Sequence, residues 1–254
     1  MIQETLQKAS LADLFGLIEK LPGAQGHLFR GQRDAAWRLI PTLYRLTPNI
    51  QGGSIAEGFD LFEANLIHRF FQEGLPYLPL ISRSYSNDRA LAQHFGAPTR
   101  LLDWSEDPLV ATFFAVEQWE TKTDAAVFMI LPEARFRPED IKSFNGIQSA
   151  AFRPPAIDRR IPAQRSMFTF HPHDPKDQPF VPLEQRPNIG GDVGNPYGKG
   201  GNIRGFAKIV IPQSLKQQLF LRLSRIGIDR RNLFPGLDGV GADTTARART
   251  GHWM

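Results

Sequence analysis

An α+β fold is what this sequence predicts, and two observations carry that reading. Short apolar runs such as AAVFMIL at 125–131 and FAKIVIP at 206–212 have strand character. Apolar residues at helical spacing recur between them, as in Leu215, Leu219, Leu223 and Ile226. With 254 residues, 41% of them hydrophobic and 22% charged, the chain has ordinary globular composition and enough apolar mass for one large domain or two small ones.

The elements follow in order. Residues 1–23 read as an amphipathic helix whose regular part is capped by Ser10, carries Leu11, Leu14, Phe15, Leu17, Ile18 and Leu21 on its apolar side, and stops at Pro22-Gly23. A strand through His27–Arg30 leads into a polar turn at Gln32–Asp34 and an irregular stretch, AAWRLIPTLYR. A Gly-rich loop at Gly52–Ser54 precedes a longer helix over Ala56–Glu73, whose Phe59, Phe62, Leu66, Phe70 and Phe71 have core spacing. The pattern then predicts a helix over Ala90–Phe95, closed by Gly96 with Pro98 two residues on. A strand over Thr99–Trp104 follows, with Ser105 as N-cap of a helix over Pro108–Glu117. Proline sits in that helix's first turn, where its missing N–H costs nothing. Further strands are expected at Ala125–Leu131, Met167–His171 and within FAKIVIP, and a helix at Ser214–Arg225 ended by Gly227. The segment 172–205, rich in Pro, Gly, Asn and Asp, reads as a long loop with the length of a lid, and the tail ARARTGHWM as frayed.

Several functional classes drop out. There is no cysteine, which removes disulfides and thiolate zinc sites. No apolar run approaches the ~20 residues of a membrane span, and the N-terminal stretch lacks the build of a signal peptide. A cytoplasmic protein with no membrane partner is therefore expected. The net charge of +4 is compatible with a polyanionic partner. GDVGNPYGKGG at 191–201 has Val193 where a phosphate-binding loop needs glycine, and Gly200 where it needs Ser or Thr. His171 and His173 lack a third ligand at helpful spacing, so no metal is expected. The Arg159-Arg160 and Arg230-Arg231 pairs read as solvated faces or polyanion contacts.

Two stretches remain. In LFRGQ at 28–32 an arginine and a glycine end an apolar strand, which suggests a guanidinium at the lip of a pocket or, more plainly, a salt bridge closing a strand end. Glycine there lets a backbone or a ligand come close. In QHFGAPTRLLDWSEDPLVATFFA at 93–115, polar groups crowd apolar surroundings. Period-2 alternation puts Arg100, Leu102 and Trp104 on one face and Leu101, Asp103 and Ser105 on the other. The structural reading is an Arg100–Asp103 ion pair locking the sheet. The functional one brings the strand end, a helix N-terminus and Arg30 to a single phosphate-binding cleft, with Trp104 as a stacking surface.

LFRGQ, the 93–115 stretch, AQRSMFTFH and LFPGLDG together resemble the FRG domain family over about residues 25–243. That resemblance divides the chain into an N-terminal helix at 1–24, an FRG domain at 25–243 and a tail at 244–254. A more distant resemblance is to mono-ADP-ribosyltransferases. Phe29-Arg30-Gly31 looks like their phosphate-gripping first strand, and Ser105 with Val110–Ala115 like their second strand and the helix after it. It implies a split, mostly antiparallel sheet with a NAD-type cleft and surrounding helices, and NAD as substrate.

Under this resemblance the function is transfer of ADP-ribose to a macromolecular acceptor, nucleic acid ahead of protein, by a toxin or phage-defence effector with a possible antitoxin or other partner protein. Arg30 would hold the pyrophosphate beside Phe29, with Arg100 among the cofactor-binding residues. Gly31, also among the cofactor-binding residues, would permit close backbone approach, Ser105 would fix the strand and the nicotinamide ribose, and Trp104 or Phe168 would stack the leaving ring. Gln164, His94 and Asp103 would orient ribose and acceptor. The third strand offers Gln164 where those enzymes carry a glutamate, so Asp103 or the substrate would supply the charge. Alternatives from other classes are a non-catalytic nucleic-acid or nucleotide-binding module, an RNA phosphotransferase-like enzyme and a NADase.

Overall fold

The computed structural model describes residues 2–20, 26–46, 55–78, 83–132, 135–138, 141, 150–171, 180–185 and 203–251. The expected loop at Gly52–Ser54, the stretch 191–201, most of 172–205 and His173 lie outside the described residues.

Among the described residues, eight strands form one mixed sheet: β1 (Ile2–Thr5), β2 (Leu28–Gln32), β3 (Leu101–Ser105), β4 (Ala125–Pro132), β5 (Arg135–Phe136), β6 (Ala150–Phe152), β7 (Ser166–Phe170) and β8 (Ile203–Ile211). Their spatial order is β1-β8-β4-β2-β3-β7-β6-β5. The pairs β1/β8 and β5/β6 are parallel and the rest antiparallel, so the fold is α+β with a mostly antiparallel sheet. β2 pairs with β4 along all five of its residues, but with β3 only at Phe29 opposite Ser105. The two halves of the sheet meet at that pair and fork apart beyond it.

Nine α-helices occur among the described residues: α1 (Leu11–Glu19), α2 (Thr42–Arg45), α3 (Ile55–Gly74), α4 (Tyr85–His94), α5 (Pro108–Val116), α6 (Arg160–Ala163), α7 (Gln213–Arg225), α8 (Arg230–Leu233) and α9 (Leu237–Thr250). One face of the central strands, with Phe29, Val127, Met129 and Ile209, packs under α5, α7 and α1. The other, with Leu28, Leu102, Trp104 and Phe128, packs on Leu39 and Leu183. α5 lies so close to β2 that a Cβ on Gly31 would stand 1.9 Å from the Ala111 carbonyl oxygen and 2.6 Å from the Ala115 nitrogen. What comes close at Gly31 is therefore a helix backbone, the close backbone approach expected of a glycine at this position.

Several expectations change. Residues 2–5 form an edge strand beside β8, with the helix starting only after the Ser10 cap, whose side chain accepts from the Asp13 N–H. α4 begins five residues earlier than the apolar spacing indicates, because Ser84 caps it by accepting from the Asn87 N–H. Asp107, not Ser105, caps α5, accepting from the Leu109 N–H. α9 runs through the position expected to open a frayed tail, held there by Asp243, which is buried and accepts from Arg247 Nε at 2.7 Å. No helix among the described residues is long and apolar enough to cross a membrane.

Candidate functional site

Arg30 stands at the fork. Alternation along β2 turns Phe29 and Gly31 toward α5 and Arg30 toward the other side, where β2 and β3 have stopped pairing. The guanidinium spans the gap. Its Nη1 donates to the Asp103 backbone oxygen at 2.7 Å and lies 2.7 Å from Asp103 Oδ1. Its Nε is buried with no partner. Arg30 is 15% exposed at the side chain and Asp103 64%, so this is a pair at the lip of a cleft. Both readings of LFRGQ hold at once: the arginine closes a strand end with a salt bridge, and it does so over open space.

Desolvation pushes the Asp103 carboxyl's pKa upward, but the Arg30 guanidinium outweighs it and holds the carboxyl below the usual carboxylate range. Gln93 Nε2 lies 3.5 Å from the same oxygen. Asp103 is thus kept ionised at neutral pH and weakly basic. It suits charge stabilisation better than proton abstraction.

Two recesses open from this pair. A small one, about 40 Å³, is lined by Phe29, Arg30, Gly31, Asp103, Trp104, Ser105, Phe114, Gln164 and Ser166 among others. Ser105 braces its floor, accepting from the Asp107 N–H at 2.9 Å and donating to the Gln164 carbonyl at 2.7 Å. A larger one, about 540 Å³, runs from Arg30 and Asp103 past Gln32, Arg33, Trp37 and Arg38 to Arg45. That volume falls within the ~300–1,000 Å³ common for small-molecule sites.

The structure brings together Phe29, Arg30, Gly31, Asp103, Trp104, Ser105 and Gln164 around the small recess and places Arg100, Phe168 and His94 elsewhere. Arg100 is buried in an ion cluster, with Nε 2.9 Å from Glu63 Oε2, Nη1 bonded to Asp60 and Nη2 donating to Tyr85 at 3.0 Å. Glu63 is fully buried and also takes Arg89 Nε at 2.8 Å. The expected Arg100–Asp103 pair is therefore replaced by Arg100–Glu63 and Arg30–Asp103, and Arg100 is not available to phosphates. Trp104 is 3% exposed, donates its indole N–H to Thr169 at 2.6 Å, and shows no face for stacking. Phe168 is core, tilted against Phe152 at 5.9 Å. His94 lies 3.3 Å from Asp158 Oδ2, away from both recesses.

Gln164 sits in the turn after α6, two residues before β7, and its Nε2 donates to the Leu233 carbonyl at 3.0 Å. Its neighbour Arg165 takes a positive φ of 48° to make that turn, and β7 starts directly after it at Ser166, which leaves Gln164 outside the strand. The glutamate beyond it, Glu184, accepts from the Leu39 N–H at 3.1 Å and is structural. Among the described residues no group of His, Asp and Glu side chains is placed to hold a metal ion.

The sequence reading does not single out Arg33, in the polar turn at Gln32–Asp34, or Trp37, Arg38 and Arg45, in the irregular stretch after it. Their signal was arginines interleaved with an aromatic, in a segment the fold ties down through Ala35, Leu39, Leu43 and Tyr44.

Comparison with known families bears on this region. Residues 25–124 match the FRG domain. The match holds β2, the basic segment after it, β3 and α5, that is, both strands of the fork and the helix over Gly31. No curated protein and no solved structure matches the chain.

Proposed function

We propose that the cleft at the fork binds NAD and that the protein transfers its ADP-ribose to a macromolecular acceptor. One observation carries this reading: Arg30 crosses a forked, mostly antiparallel sheet at the mouth of an open cleft, paired with the carboxylate of Asp103. Arg30 holds the pyrophosphate through its guanidinium, which Asp103 orients. The glycosidic C–N bond breaks, its electron pair passes to the pyridinium nitrogen, and nicotinamide leaves neutral. The ribose is left with oxocarbenium character, which the anionic Asp103 stabilises by charge. The acceptor's nucleophile bonds to the anomeric carbon and releases its proton to water, since Asp103 is too weakly basic to hold it. Ser105 keeps the strand end, the start of α5 and the Gln164 turn in register.

The test is incubation with NAD labelled at the adenylate phosphate, in the presence of cellular RNA and protein, alongside measurement of nicotinamide release. Label on a macromolecule and loss of both signals in Asp103→Asn support the reading. Nicotinamide release without transfer makes the protein a NADase. A second reading, a binding module without turnover, is favoured by the anchoring of Gln164 to Leu233 where related enzymes carry a glutamate. Tight NAD or nucleic-acid binding with neither release nor transfer would select it.

A further inference from the structure

The larger recess has features that the Arg30–Asp103 pair does not use. Trp37 is 44% exposed although it lies in a segment held on several sides. Its own N–H donates to the Asp34 carbonyl at 3.2 Å, the Ala36 N–H donates to Asp34 Oδ1 at 2.8 Å, and Lys208 Nζ reaches the Ala35 carbonyl at 2.7 Å. The Arg33 guanidinium, held by Gln118 Oε1 at 2.8 Å, lies 4.8 Å from the indole centroid and fixes the ring's attitude. A large aromatic presented in a set orientation beside a cavity is a stacking platform.

Beside it, Gln32 is 7% exposed, lines the recess, and carries a buried Oε1 with no hydrogen-bond partner. A buried amide left unpartnered is costly unless a ligand completes it. Arg33, Arg38 and Arg45 have no carboxylate within ion-pair distance among the described residues, so the rim is cationic beyond what the one Arg30–Asp103 pair neutralises. Burial and the nearby Arg30 charge pull the Arg45 pKa down against the opposing pull of Asp103, so Arg45 shares its surroundings with a second cation.

We infer that the part of the 540 Å³ recess beyond the Arg30–Asp103 pair, from Gln32 to Arg45, seats single-stranded nucleic acid, with one base stacked on Trp37 and its edge met by the Gln32 amide, and the flanking phosphates held by Arg38 and Arg45. The inference rests on the proposed transfer reaction only in making that strand the acceptor. The binding itself stands apart from it. A single strand fits better than a duplex because an unpaired base alone can present its face to an indole and its edge to an amide. It also fits better than the adenosine end of NAD. A dinucleotide has two phosphates for Arg30 to hold, whereas three further arginines are spaced along the recess.

The experiment measures binding of a fluorescein-labelled 12-mer oligouridine and oligothymidine by anisotropy without NAD, and follows tryptophan quenching. We expect binding with quenching, no comparable binding to a blunt duplex of the same length, and no displacement by NAD. Trp37→Ala should weaken binding about tenfold to a hundredfold, and Trp37→Phe should restore most of the affinity while abolishing the quench. Arg38→Gln and Arg45→Gln should each reduce the slope of log affinity against log salt by about 0.7. Unchanged affinity in Trp37→Ala, equal binding of the duplex, or displacement by NAD overturns the inference. If label from NAD is transferred to a macromolecule yet no oligonucleotide binds, this inference fails while the transfer reading stands. If oligonucleotides bind as described and no nicotinamide is released, the reverse holds.

Discussion

Replacing Gly31 by alanine asks what that glycine is for. The added Cβ would stand 1.9 Å from the Ala111 carbonyl oxygen, and contacts under 3.0 Å are not sustained by real Cβ atoms. α5 would have to retreat from β2 by at least about 1 Å to restore ordinary contact. The colliding atoms are helix backbone, with no flexible side chain to swing aside, and α5 is buried along most of its length. Overpacking costs about 1–3 kcal/mol where side chains can adjust, so a backbone collision belongs at or above the upper end. The stiffer unfolded chain of the alanine variant returns at most ~1 kcal/mol. A net loss of about 2–3 kcal/mol follows, which at a urea dependence of ~1–3 kcal/mol per molar lowers the unfolding midpoint by about 1 M or more. Urea titration followed by circular dichroism reads this directly. If Gly31→Ala unfolds at the parent's midpoint but no longer binds NAD, the glycine serves a ligand and the packing argument is wrong.

Other expectations concern the same region. Arg30→Ala should abolish nicotinamide release while changing stability by under about 1 kcal/mol, because its partner Asp103 is largely exposed; a variant that fails to fold would make the arginine structural. Burial raises the Glu63 pKa, but Arg100 and Arg89 together bring it below the usual value. Its stabilising contribution is therefore fully present above the unfolded pKa of about 4.3 and is lost as pH falls through the folded one. Glu63→Gln should cost about 3–5 kcal/mol at neutral pH and flatten the acid limb of a stability–pH curve; an unchanged acid limb refutes that assignment. Trp104→Phe should lose its hydrogen bond to Thr169 and about 1–3 kcal/mol of stability without affecting nucleotide affinity, checked by thermal melts and NAD titration.

The order of the main elements, α1, β2, α3, α4, β3, α5, β4, β7, β8 and α7, was legible from apolar strand runs, helical spacing and end signals, whereas β1, β5, β6 and the short helices α2, α6 and α8 were not. The Ser10 cap and the Gly227 stop, at φ 83°, are local chemistry readable from one residue. The fork was not readable that way. Whether β2 and β3 pair along five residues or one depends on where α5 and the Arg30 side chain come to rest, and no window of sequence holds both. Partner choice failed for the same reason. Arg100 and Asp103 are close in sequence, yet Glu63, 37 residues away, takes the arginine and leaves Asp103 to Arg30. Trp104 misled because an aromatic next to a polar serine at a strand end reads as a stacking surface, whereas it packs with Leu28, Leu39, Leu102 and Leu183 and bonds Thr169. Gln164 was displaced by a two-residue turn, an offset smaller than the precision of any element boundary drawn from pattern.

A sheet joined across its middle at a single residue pair has little of its own to set the angle between its halves. Along every other seam, rows of hydrogen bonds resist bending. Here one pair of residues does, aided by α5 above and by the Arg30–Asp103 bridge below. Local opening is least costly where the fewest bonds must break together, so the amides around Phe29 and Ser105 on the forked side set the pace at which this molecule breathes. Anything that grips Arg30 from one bank and Asp103 from the other acts as a clasp. It fixes the gape of the cleft while being held in it, and the stiffness missing from the backbone there is supplied by the guest.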